Sequence, residues 1–234
     1  MKKEQKYDFK RMEREHEEMS AIILEKLFAD PLAKLLIKHT NVKPNDVTVL
    51  SFVFLIMGSI FLLRGAYWYQ VLGATFALIY IILDCVDGSI ARVKDLCTKF
   101  GQWLDGIIGF VSHPLLIFCL AVGIGTQQAL ILGSLAMIAY PMQYLITRFY
   151  KLDILGKDEP ISIGKQGKYE FVRYLYGSTL FFLVLFIFVI INLPILVLWV
   201  FAVFGNLFWI ITIILEGVNL KQFENAKLKS TEKS

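Results

Sequence analysis

From Tyr174 to Leu215 the chain carries no Asp, Glu, Lys or Arg, a run of 42 residues interrupted only near Asn192–Pro194. A helix needs about 20 residues to cross roughly 30 Å of hydrocarbon, so this run is long enough for two membrane crossings and the turn between them. The other charges are just as segregated. Residues 1–46 hold 19 of them, 47–147 hold 8, 148–173 hold 10 and 216–234 hold 7. With 56% hydrophobic and 19% charged residues, the chain does not read as a soluble enzyme, a secreted disulfide scaffold or a disordered polymer. The net charge of +4 comes with no basic groove interleaved with aromatics, so nucleic acid is not expected as a partner. Cys85, Cys97 and Cys119 lack CxxC spacing and read as small buried hydrophobes.

Six apolar stretches are marked, at about 46–65, 70–92, 101–123, 128–148, 172–192 and 195–216. The expected fold class is an all-α integral membrane protein, with six transmembrane helices preceded by a cytoplasmic amphipathic interfacial helix. With both termini inside, Arg64 is the one basic residue near the outside. The opposite orientation would put Lys94, Lys99, Lys151, Lys157, Lys165 and Lys168 outside, against the positive-inside bias. Residues 1–20 read as a charged arm, too polar for a cleavable signal, and 217–234 as a cytoplasmic tail. Residues 21–38 read as a surface helix, in which Ile22, Ile23, Leu27, Leu32, Leu35 and Leu36 alternate with Glu25, Lys26, Lys34 and Lys38. A bend or restart is expected at Asp30–Pro31. Residues 46–216 form the transmembrane domain.

Charges inside a bilayer are costly, so three aspartates in the bundle need a reason. Asp84, Asp87, Gly88 and Ala91 fall at i, i+3, i+4 and i+7, on one helical face. Gly101, Asp105, Gly109 and His113 recur every fourth residue on the next helix. The short connection 93–100 makes the two helices antiparallel neighbours, and three carboxylates can converge. Like charges at short range repel unless a cation or protons intervene, and oxygen-only ligands suit Mg²⁺ or Mn²⁺. The plainer reading is that the small residues serve packing and the aspartates pair with Arg92 and Lys94.

The run Asp84-Cys-Val-Asp87-Gly88-Ser-Ile-Ala91-Arg92, eight residues, Gly101, three residues, Asp105 resembles the signature of the CDP-alcohol phosphatidyltransferase family, D-x2-D-G-x2-A-R-x8-G-x3-D-x3-D. Pro44-Asn45-Asp46-Val47-Thr48 is similar to the family's entry to its first span. The resemblance implies metal-dependent transfer of a phosphoalcohol group from a CDP-alcohol, such as CDP-diacylglycerol, to an acceptor hydroxyl, with release of CMP in phospholipid synthesis. It implies two Mg²⁺ or Mn²⁺ ions on Asp84, Asp87 and Asp105. The nucleotide would lie against Asn45, Thr48, Gly88, Ala91, Arg92 and Gly101 as well as Asp84 and Asp87. A homodimer is likewise implied.

One position departs from the signature. Its last aspartate, a metal ligand and general base in the family, falls on Gly109. His113, one turn further on the same stripe, is a candidate base. Its plainer reading is a packed core histidine before a kink at Pro114. Other readings are an acceptor with an already ionised oxygen, a carboxylate such as Glu170 reaching in, or a chain that binds metal and nucleotide with little turnover. Gly164-Lys165-Gln166-Gly167-Lys168 is a weak phosphate-binding signal alone. By resemblance, Arg148, Lys165 and Arg173 are candidates for the acceptor or lipid phosphate. A small transporter would also place aspartates in a bundle, but it should line a path across the membrane, whereas these three cluster at one level.

Overall fold

A computed structural model describes residues 7–12, 19–154, 156 and 178–231, and all regular structure among them is helical. The chain forms α1 (Met19–Leu24), α2 (Asp30–His39), α3 (Pro44–Leu63), α4 (Tyr67–Val93), α5 (Lys99–Ile124), α6 (Gln127–Phe149), α7 (Ser178–Ile190), α8 (Pro194–Val200) and α9 (Asn206–Thr231). π-helical turns at Glu25–Ala29, Tyr150–Ile154 and Phe201–Gly205 join α1 to α2, extend α6, and join α8 to α9.

The helix starts have local causes. Pro44 opens α3, where its missing N–H costs nothing, and the Asp46 carboxylate accepts from the Lys43 N–H at 3.3 Å. At α5 and α6 the Thr98 and Thr126 hydroxyls accept from the amides of Gly101 and Ala129, at 3.0 and 3.1 Å. These bonds satisfy amides that a helix start leaves without an intrahelical acceptor.

Among the described residues, five helices are long and apolar enough to cross a membrane: Pro44–Leu63, Tyr67–Val93, Lys99–Ile124, Gln127–Ile154 and Pro194–Lys221. They correspond to five of the six expected stretches. The remaining one, 172–192, begins outside the described residues; its described helix is α7, 13 residues that are apolar from Leu180 to Ile190.

α3 packs along both α4 and α5. It comes close to α4 because glycines face each other: a Cβ on Gly58 would sit 3.0 Å from the Gly73 carbonyl oxygen, and one on Gly73 would sit 2.9 Å from that of Gly58. Beyond α3, Gly65 adopts φ +71°, and a Cβ there would meet the Gly123 carbonyl of α5. The main core joins Tyr80 on α4 to Leu116 and Leu120 on α5, Phe181, Phe182 and Leu185 on α7, and Leu198 on α8. A second cluster ties Met12 and Ala29, Ala33 and Ile37 to Val86 and Ile90 of α4.

Two expectations are corrected. Glu25, read as part of the polar face of the surface helix, is buried, because the π turn it opens packs against α4. Cys97 is exposed, since it lies in the turn between α4 and α5; Cys85 and Cys119 are buried thiols as expected.

Candidate active site

α4 and α5 deliver the three aspartates to one place. One carboxylate oxygen from each of Asp84, Asp87 and Asp105 lies within 4.8 Å of the others, with Asp87 buried and its companions half-buried. The three carboxylates therefore converge as their spacing predicts, although α4 and α5 touch little and are bridged by α3, which packs against both.

α3 supplies the floor. Thr48 donates its hydroxyl proton to Asp87 Oδ2 at 2.6 Å, and the same hydroxyl lies 3.2 Å from the Pro44 carbonyl. With one proton to give, the shorter, charge-assisted bond takes it. Gly101, at the start of α5, lies against Asn45: a Cβ there would sit 2.9 Å from Asn45 Oδ1 and 3.1 Å from Thr98 Oγ1. Asn45, Thr48, Asp87 and Gly101 are thus linked across three helices. Gly88 and Ala91, further along the Asp84–Asp87 face, are half-buried.

A cavity of about 210 Å³ opens beside Asp84 and Asp105, lined also by Gly106, Gly109, Ser112 and His113 of α5 and by Tyr80, Tyr140, Tyr144 and Phe182. Gly109 faces open space, with no atom within 4 Å of where a Cβ would stand. His113 is 4% exposed. Its ring stacks on Tyr140 at 4.0 Å and 10°, Phe181 and Phe182 pack around it, and Ser112 Oγ lies 3.1 Å from Nδ1. The histidine is thus a packed core residue and a wall of the cavity at once.

Arg92 and Lys94 turn toward the amino-terminal side of the chain. Arg92 donates from Nε to the Arg11 carbonyl at 3.3 Å, and from Nη2 to the Met12 carbonyl at 3.1 Å and Ser89 Oγ at 3.3 Å. Lys94 Nζ donates to the Val42 and Thr40 carbonyls at 3.1 and 3.4 Å, and burial lowers its ammonium below the usual lysine range. Arg11 pairs with Asp95 at 2.6 Å. Arg148 is exposed in the last turn of α6, four and eight residues beyond Tyr144 and Tyr140, so it continues their stripe. Lys165, Glu170 and Arg173 lie outside the described residues.

The cavity walls Tyr80, Ser112, Tyr140, Tyr144 and Phe182 had no motif to announce them. The one available signal was the four-residue spacing of Tyr140, Tyr144 and Arg148.

The donor set fits a hard divalent cation: three carboxylates, no thiolate, and oxygens close enough to share an ion. The model of the CDP-alcohol phosphatidyltransferase family matches residues 41–215, and the chain belongs to that family. It is a multi-pass integral membrane protein. Among its relatives, an archaetidylinositol phosphate synthase of Pyrococcus horikoshii is 30% identical over 84 residues, 36% of this chain and 43% of the relative. A phosphatidylinositol phosphate synthase of Corynebacterium glutamicum is 30% identical over 115 residues, 47% of this chain and 50% of the relative. A bifunctional IPC transferase and DIPP synthase of Aquifex aeolicus is 38% identical over 65 residues, 28% of this chain and 14% of the relative. In these three the match spans half or less of the relative's length.

Proposed function

We propose that the chain transfers a phosphoalcohol group from a CDP-alcohol, such as CDP-diacylglycerol, to an acceptor hydroxyl and releases CMP, in membrane-lipid synthesis. The observation that carries this reading is the convergence of Asp84, Asp87 and Asp105 on one another, with Thr48 bonded to Asp87, beside a cavity lined by His113. The three aspartates would hold Mg²⁺ or Mn²⁺, two ions in our reading. When bound, the metal supplies charge neutralisation on the diphosphate and on the departing CMP. Thr48 holds Asp87 in position. Gly88 and Ala91 leave the nucleotide room against the backbone of α4, Asn45 packed on Gly101 lies beside it, and Arg92 borders it.

In the transfer step the acceptor oxygen attacks the β-phosphorus, a new P–O bond forms, and the bond to the CMP phosphate breaks with its electron pair. His113 takes the hydroxyl proton, in the place where the family uses an aspartate. Arg148, with Lys165 and Arg173, receives a phosphate on the acceptor or lipid. Six spans with both termini and the site at the cytoplasmic face, α1 and α2 in the membrane surface, and a homodimeric assembly complete the proposal. At that level a water-soluble nucleotide meets a lipid-borne partner.

The test is incubation of the purified protein with radiolabelled CDP-alcohols, membranes and Mg²⁺ or Mn²⁺. CMP release, with cytidine nucleotides bound in preference to uridine nucleotides, is the expected result; a protein that binds CDP and UDP headgroups equally loses the family-specific part. Gly109 favours a second reading, a family member that binds metal and nucleotide with little turnover. Gly109→Asp separates the two, since the space at Gly109 accepts a side chain. A weak transferase gains CMP release from that carboxylate, whereas an enzyme whose base is His113 gains little and is silenced by His113→Gln.

A further inference from the structure

Two contacts of Ser112, which also lies within hydrogen-bond reach of the Tyr80 hydroxyl, bear on where the proton of His113 sits. Its Oγ is 2.8 Å from the Gly109 carbonyl oxygen, one turn back in α5, and 3.1 Å from Nδ1 of the adjacent histidine. A carbonyl oxygen only accepts, and two oxygens at 2.8 Å with no proton between them repel. The single hydroxyl proton of Ser112 therefore points at Gly109. That leaves Ser112 only lone pairs to offer the ring, and a lone pair facing a ring nitrogen is satisfied by N–H. We infer that Ser112 is a positioning residue that fixes neutral His113 as the Nδ1–H tautomer and so makes Nε2 the unprotonated, proton-accepting nitrogen.

Three further features support this. Ser112 is fully buried, so water does not compete for its hydroxyl. The ring lies flat against Tyr140 at 10°, which fixes the plane in which Nδ1 meets Ser112. Gly109 and His113 line the same cavity, so the carbonyl that orients Ser112 belongs to the residue standing where the family signature has its last aspartate. The carboxylate is absent at that position, yet its backbone takes part in preparing a histidine one turn away. The inference rests on the proposed role of His113 as base, and it adds the residue that sets which nitrogen does the work.

The test reads the ring directly. ¹⁵N-histidine spectra of the native protein in lipid, without substrate, are assigned by the signal that vanishes in H113Q. They should show Nδ1 protonated and Nε2 unprotonated at a pH where the ring is neutral. Ser112→Ala should move the population toward Nε2–H and lower kcat for CMP release about tenfold, the scale of one hydrogen bond's preference, with KM for the CDP-alcohol unchanged. Ser112→Thr, which keeps the hydroxyl, should restore both. A native ring protonated at Nε2, or a tautomer unchanged in Ser112→Ala, overturns the inference even where H113Q is inactive. Native turnover by H113Q overturns the base reading and Ser112's part in the reaction, and the substrate-free spectrum tells that failure from the other.

Discussion

At the far end of the α3–α4–α5 bundle, Gly65 and Gly123 stand where a side chain would run into backbone: Gly65 against the Gly123 carbonyl, Gly123 against the Leu62 carbonyl. At the aspartate end, Gly106 and Gly109 stand where a side chain would meet nothing within 4 Å. The same residue type on the same helix, α5, closes one end and opens the other. A membrane bundle gains little from burying apolar surface, because lipid tails are as apolar as its side chains, so close backbone approach does the holding. The opposite end forgoes that contact and keeps space for ligands. Small residues in a membrane sequence therefore do not by themselves announce packing; their neighbours decide.

Removing charge from the open end should have the largest effect. Asp84→Ala, Asp87→Ala and Asp105→Ala should each cut CMP release about a thousandfold and weaken Mn²⁺ binding, the scale expected when a metal's charge stabilisation is lost. Native-like Mn²⁺ binding by all three variants would falsify the site. At the closed end, Gly73→Ala and Gly123→Ala should destabilise the protein by about 1–3 kcal/mol, because the new methyl meets backbone that cannot step aside. Thermal unfolding in matched micelles measures this, and an unchanged midpoint would mean that the helices separate freely there. Thr48→Val removes the proton donor to Asp87 and should weaken Mn²⁺ binding about tenfold, while Thr48→Ser retains it. Equal loss in both would point to shape rather than the hydroxyl. The smallest effect should come from Gly109→Ala, with unchanged or slightly higher stability, by up to about 1 kcal/mol, since alanine favours helix and the site has room. Destabilisation there would erase the contrast between the two ends.

The aspartate centre was legible because charge is rare in these helices: three carboxylates at i, i+3 and a four-residue stripe stand out against an apolar background. The same background hid the cavity walls. In helices apolar on every side, periodicity no longer distinguishes an inward Tyr80 or Phe182 from an outward Ile107 or Val111. Glu25 was misplaced because the turn it opens packs against α4, a contact with no local sequence marker. Arg92 presents a different difficulty. Its signature position suggests a role near the carboxylates, but its backbone acceptors at Arg11 and Met12 lie 81 and 80 residues earlier, and no local pattern encodes a carbonyl.

That separation has a consequence for how the molecule is made. The carbonyls of Arg11 and Met12 leave the ribosome long before Arg92 exists, and at about 5–20 residues per second the delay is roughly 4–16 s. During that interval the first span and most of the second are synthesised while the earlier segment waits for its guanidinium. Tyr7–Met12 is thus made before the first span and docked after it, on an arginine that arrives only at the end of the second.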